Sequence, residues 1–285
     1  MTEFGVIPII KPIGITSFKV IHVLRKITGI KKIGHTGTLD PFATGLLPIC
    51  IGKATRIASR LTGRNKEYVV KMQLGIKTDS GDNTGKTISC EDVQDIEIQQ
   101  ISALKEKVLS ITSQKPPIFS AIKVNGKRAY ELARKKQHVD LPERSIRILE
   151  FEILEYKHPE IKYRALVSKG TYIRSLSETI AEMLGTIGST IFLDRTKIDG
   201  LEFLEPVELE KLTSENWRNY LTPIPKLLPE IPRIEIEKID DFRHGRNFVV
   251  EMNDIEKVLV LDEKENFLGF GKIKDGLMQP VMVFV

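Results

Sequence analysis

Gly34-His-Thr-Gly-Thr-Leu-Asp-Pro-Phe-Ala-Thr-Gly-Leu-Leu-Pro48 puts three glycines, two prolines, one histidine and a single carboxylate, Asp40, into fifteen residues. Glycine opens positive φ and proline locks φ, so this density predicts a loop with a fixed path. Asp40 precedes Pro41, which pushes its backbone toward the extended region and away from helix. Two readings stand. An Asp-Pro pair more often caps a tight turn through its own side chain. A lone acid on a stiff loop is also how a chain presents a reactive group.

Working outward, the surroundings favour the second reading. Residues 1–75 carry twelve Lys or Arg against three acids, Glu3, Asp40 and Glu67, a net of +9; the remainder carries 31 against 35, or −4, which restores the overall +5. A mild total therefore hides a strongly basic first quarter. Blocks of positive charge bind polyanions through phosphate contacts, and a positive field is expected to keep Asp40 ionised. A second basic stretch, 114–147, holds nine Lys or Arg against Glu131, Asp140 and Glu143, a net of +6.

Composition narrows the class. With 285 residues, 41% apolar and 28% charged, the chain has the make-up of a soluble globular protein of one large domain, or one large and one small. Two cysteines, Cys50 and Cys90, are too few for a disulfide framework. Five scattered histidines form no His-x-x-x-His pair, so no metal is expected. No apolar run approaches a membrane span and no signal-peptide pattern opens the chain, which predicts a cytoplasmic protein. Gly45…Gly52-Lys53-Ala54 has the wrong spacing and the wrong following residue for a phosphate-binding loop, which argues against an NTPase.

Along the chain, Val6–Ile10 reads as a strand, and Thr16-Ser17 caps a helix running to about Thr28. The loop of 34–48 follows, then an apolar stretch Ile49–Ile51 and a basic helix around Thr55–Leu61. Strands are predicted at Lys66–Gly75, Ile148–Tyr156 and Ile161–Ser168, helices at Ile98–Ser110, Ala129–Lys136 and Tyr172–Leu184, and a loop at Thr78–Lys86. Prolines 223, 225, 229 and 232 mark a domain boundary, giving a domain at 1–225 and a small β-rich one at 226–285, with strands at Lys257–Leu261, Phe267–Ile273 and Val281–Val285.

Single residues add candidates. Tyr68, in a strand between basic positions, can be plain core or a stacking platform for a base, and alone core is the commoner fate. Arg174 enters a helix after a glycine-bearing turn, where a surface arginine is the usual outcome. His35, flanked by Gly34 and Gly37, is better suited to exposure or insertion than to a packed core.

Read together, these pieces are recognisable. Lys11-Pro-x-Gly-x-Thr-Ser17, the 34–48 stretch, Lys66-Glu-Tyr68, Ser168-Lys-Gly-Thr-Tyr-Ile-Arg174 and Leu193-x-Arg-Thr196 occur in that order. Thr78-Asp79…Asp82…Gly85 and Ser120-Ala-x-Lys…Gly126…Tyr130…Ala133-Arg134 add to them. Between Lys11 and Thr196 the chain closely resembles the TruB family of tRNA pseudouridine synthases in its bacterial form. One departure is Asp194, where the family more often has a basic residue.

The resemblance implies an α+β fold with a mixed, mostly antiparallel sheet flanked by helices, a thumb-like insertion at 114–147, and a small PUA-like RNA-binding domain at 226–285. It implies isomerisation of the T-loop uridine at position 55 of tRNA, by flipping the nucleotide, breaking its N1 glycosidic bond and rejoining the base through C5. Asp40, Tyr68 and Arg174 match the catalytic positions. Lys11, Pro12, His35, Thr36, Gly37, Asp82 and Tyr172 match positions for substrate or RNA, Lys11-Pro12 as the site floor and His35 as a wedge. The implied partner is the T-stem-loop of tRNA, with no cofactor, no membrane and no obligate protein partner. The rivals are a tRNA-elbow folding chaperone that does no chemistry, and a synthase working in a guide-RNA complex.

Overall fold

The computed structural model describes residues 4–120, 122–124, 127–129 and 141–285. The helix predicted over Ala129–Lys136 therefore lies, but for its first residue, outside the described residues, as do Gly126, Tyr130 and Arg134 of the insertion. Among the described residues no helix is long and apolar enough to cross a membrane.

The body is one large sheet. Its strands are β1 (Gly5–Lys11), β2 (Ile33–His35), β3 (Thr44–Ile51), β4 (Lys66–Leu74), β5 (Ile148–Lys157), β6 (Glu160–Val167), β7 (Gly188–Ile198) and β8 (Val207–Glu208). They run β5-β6-β4-β7-β3-β1-β8 in space, with β2 also paired to β3. All neighbours are antiparallel except β7 with β3 and β1 with β8, so the sheet is mixed and mostly antiparallel as expected.

Helices cover the sheet through periodic apolar faces. In α1 (Ser17–Thr28), Ser17, Val20, Ile21 and Leu24 are buried, and Thr16 caps the first turn by accepting from the Lys19 amide at 3.0 Å. Ile101, Leu104 and Val108 of α2 (Ile98–Leu109) and Ile173, Leu176, Ile180 and Ala181 of α3 (Ile173–Met183) join the same core. A buried hydroxyl chain pins α3 to the sheet: Ser177 Oγ lies 2.8 Å from Tyr163 Oη of β6 and 2.9 Å from Thr190 Oγ1 of β7. The stretch predicted as a helix at Thr55–Leu61 is a 3-10 turn at Gly52–Ile57 running into a short helix, Ala58–Thr62.

The 34–48 stretch departs from its prediction at both ends. His35 closes β2, and Thr44 to Pro48 belong to β3, so the loop proper is 36–43. Pro48 hides this from the sequence, because proline inside a central strand normally forfeits a ladder bond. Here the Pro48 carbonyl accepts from the Thr36 amide on the side away from β1, so the Pro48 nitrogen also faces away from Pro8, just past the end of β2 at His35. Gly45 is required where β3 meets β7: its φ is +104°, and a Cβ there would fall 2.3 Å from Asp194 Oδ1 and 2.4 Å from the Arg195 carbonyl oxygen.

The C-terminal region forms a five-stranded sheet, β9 (Arg233–Glu235), β10 (Phe248–Val249), β11 (Ile255–Leu261), β12 (Phe267–Lys274) and β13 (Leu277–Val283), in the order β9-β11-β12-β13-β10. The last strand starts earlier than predicted, and Phe284 beyond it is fully buried. A cut near residue 225 would pass through packed core. Val6, Leu46, Ala54, Ile57 and Leu61 share one cluster with Leu227, Leu259, Phe267, Phe270 and Phe284. Phe284 touches Phe4, Phe267 and Phe270 at ring separations of 5.6, 5.1 and 6.0 Å. Phe284→Ala is therefore expected to cost about 3–5 kcal/mol of stability, read as a lowered midpoint in denaturant unfolding; an unchanged midpoint contradicts the shared core.

Candidate active site

Asp40, within the 36–43 loop, meets Arg174. Arg174 Nε lies 2.9 Å from Asp40 Oδ2, and Nη2 lies 3.3 Å from Oδ1, the side-on fork that fits a carboxylate. Arg174 is 4% exposed, against the surface position usual for an arginine entering a helix. Its remaining donors reach the Ser80 carbonyl at 2.6 Å and the Phe119 carbonyl at 2.9 Å, and Asp82 Oδ2 stands 3.7 Å from Nη1. One guanidinium thus joins the Asp40 loop, the turn around Asp82 and the start of the 114–147 stretch.

The electrostatics differ from the sequence expectation. Asp40 keeps 33% of its side chain exposed, yet burial around it raises its carboxyl above the ordinary value. Arg174 pulls that value back, Asp82 adds to the rise and Lys11 opposes it. The surrounding positive charge is a counterweight to burial and does not by itself keep the group ionised.

The loop is held from beneath. Lys11, fully buried, donates to the carbonyls of Pro12 and Ile15 at 2.8 Å and of Pro41 at 3.3 Å. Its ammonium is pushed down to about 8, by burial first, with Asp40 opposing. Ser17 Oγ donates to the Leu39 carbonyl at 3.0 Å and accepts from the Leu39 amide at 2.9 Å. The Lys11 side chain thus points inward and ties Pro12 and Ile15 to Pro41, the residue after Asp40.

Other expected positions divide. His35 is half-buried, and its Nδ1 accepts from the Gly37 amide at 3.3 Å. Burial and then Arg195 lower its pKa, which favours a neutral ring. Gly37 is half-buried beside it, but Thr36 is fully buried, with its amide on the Pro48 carbonyl at 3.1 Å. The pairing that closes the loop takes the Thr36 backbone amide. Asp82 is engaged within the fold: Thr84 donates to its Oδ1 from both N and Oγ1, at 2.9 and 2.5 Å, and its other oxygen faces Arg174. Tyr68 lies buried on β4, opposite Arg195 of β7 and Ala165 of β6 in register, in one cluster with Leu39 and Phe42 of the loop. Tyr172 precedes α3 and is half-buried.

Arg195, which lies in the Leu193-x-Arg-Thr196 motif, has a structural task of its own. It is buried, and donates from Nε to the Leu46 carbonyl at 2.7 Å and from Nη2 to the Gly37 carbonyl at 3.1 Å, so it ties both sides of the Asp40 loop. Its signal was its phase: it shares an inward strand face with Leu193. Asp194, the departure from the family pattern, packs against Gly45, and burial raises its carboxyl.

The basic first quarter is only partly available to a polyanion. Lys53 donates to the Phe284 carbonyl at 2.6 Å, Arg56 donates to the Val283 carbonyl and lies over the Phe284 ring, and Arg60 lies over Phe270. Arg64 donates to the carbonyls of Asp199 and Leu227, and Lys66 is buried. These cations fasten the C-terminal sheet or fill the interior. Lys19, Lys26, Lys31 and Lys32 remain exposed on α1 and the loop after it, in a stretch without one acid between Phe4 and Leu39.

Comparison with known proteins agrees with this geometry. Residues 25–173 match the TruB family pseudouridylate synthase N-terminal domain. The tRNA pseudouridine synthase B of Clostridium tetani is 39% identical, over 95% of this chain and 96% of the relative. That of Hydrogenovibrio crunogenus is 36% identical, over 98% and 93%. Among solved structures, a chain of a Cbf5-Nop10-Gar1 complex superposes with a TM-score of 0.71 at 26% identity, over 99% of this chain and 85% of that one. A chain of an H/ACA RNP bound to a substrate RNA shares the fold, at a TM-score of 0.69 and 24% identity. With the family domain matched from Arg25 to Ile173, and relatives aligned over nearly their whole length, the chain belongs to the TruB family of pseudouridylate synthases.

Proposed function

We propose that this protein isomerises the T-loop uridine of tRNA, position 55, to pseudouridine, with Asp40 as the reacting carboxylate. The observation that carries the reading is Asp40 held by a nearly buried Arg174 at 2.9 Å while a third of its own side chain stays open. Binding RNA needs no such pair; breaking a glycosidic bond does. The relatives named for tRNA are 35–39% identical, against 24–26% for the chains from the Cbf5 and H/ACA structures, which favours tRNA alone over a guide-RNA assembly.

A stacked uridine cannot be reached, so the nucleotide leaves the helix at a cost of a few kcal/mol. A neutral His35 ring suits the vacated space, since it inserts without carrying a charge into the stack. Tyr68 offers a face for the uracil. The ionised Asp40 carboxylate then either attacks the ribose or takes a sugar proton as the N1 bond breaks; the base turns, C5 bonds to the ribose, C5 loses its proton and N1 gains one. Atoms balance within one nucleotide, so no cofactor enters. Exposed lysines at 19, 26, 31 and 32, with the basic 114–147 stretch, supply phosphate contacts. The five-stranded C-terminal sheet is proposed as a PUA-like RNA-binding unit.

The test is a T-stem-loop RNA incubated with the purified protein alone, followed by base-resolved mapping of pseudouridine. Product confined to the T-loop uridine is expected. Binding and refolding of the RNA without product would replace the enzyme by the chaperone.

A further inference from the structure

We propose that Gln114 is a positioning residue for the Asp40–Arg174 pair, acting through the backbone of Tyr172. The proposal rests on the functional reading above and adds a residue that reading does not use.

Ser113–Gln114 and Arg144–Ser145, which bracket the basic stretch in sequence, pair antiparallel, Gln114 opposite Arg144. Gln114 thus stands at the neck of the basic stretch. Its buried carboxamide turns toward α3: Nε2 donates to the Tyr172 carbonyl at 3.0 Å, and Oε1 accepts from the Tyr172 amide at 2.8 Å. A side chain bonded to both polar backbone atoms of one residue acts as a strand partner would. It fixes the peptide planes on either side of that residue.

Tyr172 is where α3 begins. Its carbonyl also accepts from the Leu176 amide at 3.0 Å, the first turn of the helix that carries Arg174. Two more bonds join the same pair of segments: Ser175 Oγ to the Lys115 carbonyl at 3.2 Å, and Arg174 Nη2 to the Phe119 carbonyl at 2.9 Å. Residues 114–119 therefore clasp the helix start at 172, 174 and 175. The guanidinium in that clasp is the one whose Nε holds Asp40. A fork on a carboxylate is sensitive to direction, and misplacement of about 1 Å at a reacting group costs about 10²-fold in rate. Gln114 sets the direction from which the fork approaches.

A residue that merely anchored the neck would show its loss in RNA affinity or folding. One that positions Arg174 shows it at Asp40. Gln114→Met keeps length and shape, removes both bonds and adds no titratable group. At saturating stem-loop RNA its single-turnover rate is expected to fall at least about tenfold, with RNA affinity within about threefold of wild type. Because a loosened fork pulls the Asp40 carboxyl down less, the acid limb of that rate is expected to move to higher pH, toward its place in Arg174→Lys. The groups acting on Asp40 there are Arg174, Asp82 and Lys11, all unchanged in the variant. The double variant Gln114→Met/Arg174→Lys is expected to lose little beyond Arg174→Lys alone, since residues acting in series are not additive. Additive losses, an unmoved acid limb, or a defect confined to affinity each overturn the proposal. If Gln114→Met does not fold, Gln114→Glu, which keeps the acceptor and loses the donor, is read by the same rate and the same double variant. Wild-type protein that makes no pseudouridine sinks the functional reading instead, so the two failures are distinct.

Discussion

Asp40→Asn is expected to reduce pseudouridine formation by more than about 10³-fold while tRNA affinity changes by less than about tenfold, or about 1.4 kcal/mol. Asparagine keeps the shape of the side chain and can still accept from Arg174, so the loop has no reason to rearrange. What it lacks is the negative charge that both chemical routes require. The exposed lysines proposed as phosphate contacts, 19, 26, 31 and 32, are not among the groups acting on Asp40, so binding should survive. Single-turnover mapping of the T-loop uridine and a filter-binding titration read the two quantities separately. Turnover within tenfold of wild type would remove Asp40 from the chemistry. Loss of binding in proportion to rate would make it a contact residue.

Arg174→Lys is expected to lose about 10²-fold in rate, although charge and approximate length are kept. The guanidinium serves Asp40, the Ser80 carbonyl and the Phe119 carbonyl from fixed directions in one plane. One ammonium cannot serve all three, and those it abandons are half-buried acceptors that lose their donor. The pH profile should change as well. Burial raises the Asp40 carboxyl and Arg174 draws it back. In wild type the group is charged above its raised pKa, and the rate falls as pH drops through that value. Weakening Arg174 lets the pKa rise further, so the acid limb moves to higher pH. A profile that stayed in place, or shifted to lower pH, would contradict the assigned pair. Near-wild-type turnover would do the same.

How much was legible beforehand varies residue by residue. The caps and breakers around α1 were readable because they act over three or four positions: Thr16 at the start and Gly29, with φ +72°, at the end. Alternation located β4 and β6 to within a residue or two. The end of the 34–48 stretch is hidden because Pro48 ordinarily breaks a strand, and only the tertiary pairing places its nitrogen just past the end of β2. The boundary near residue 225 was marked by prolines, yet Leu227 and Phe284 share a core with Val6 and Leu61. Proline marks a bend in the chain and does not tell which side chains pack across it.

The same divide runs through the site. Asp40, Tyr68, His35 and Arg174 were named from residue type, neighbours and motif, since each kind of chemistry needs a particular side chain and the chain order of such motifs is visible in one dimension. Their environment was not visible. That Arg174 is buried, that burial raises Asp40 despite a basic first quarter, that Lys53, Arg56 and Arg60 hold the C-terminal sheet, and that Asp82 and Thr36 turn inward all depend on residues far away in the chain. Gln114 and Tyr172, 58 positions apart, meet through two hydrogen bonds that no spacing rule contains. Sequence by itself determined which groups can react, because reactivity belongs to the side chain. Tertiary structure decided their charge, direction and accessibility, because solvation and hydrogen-bond geometry are set by whatever else the fold brings within a few ångströms.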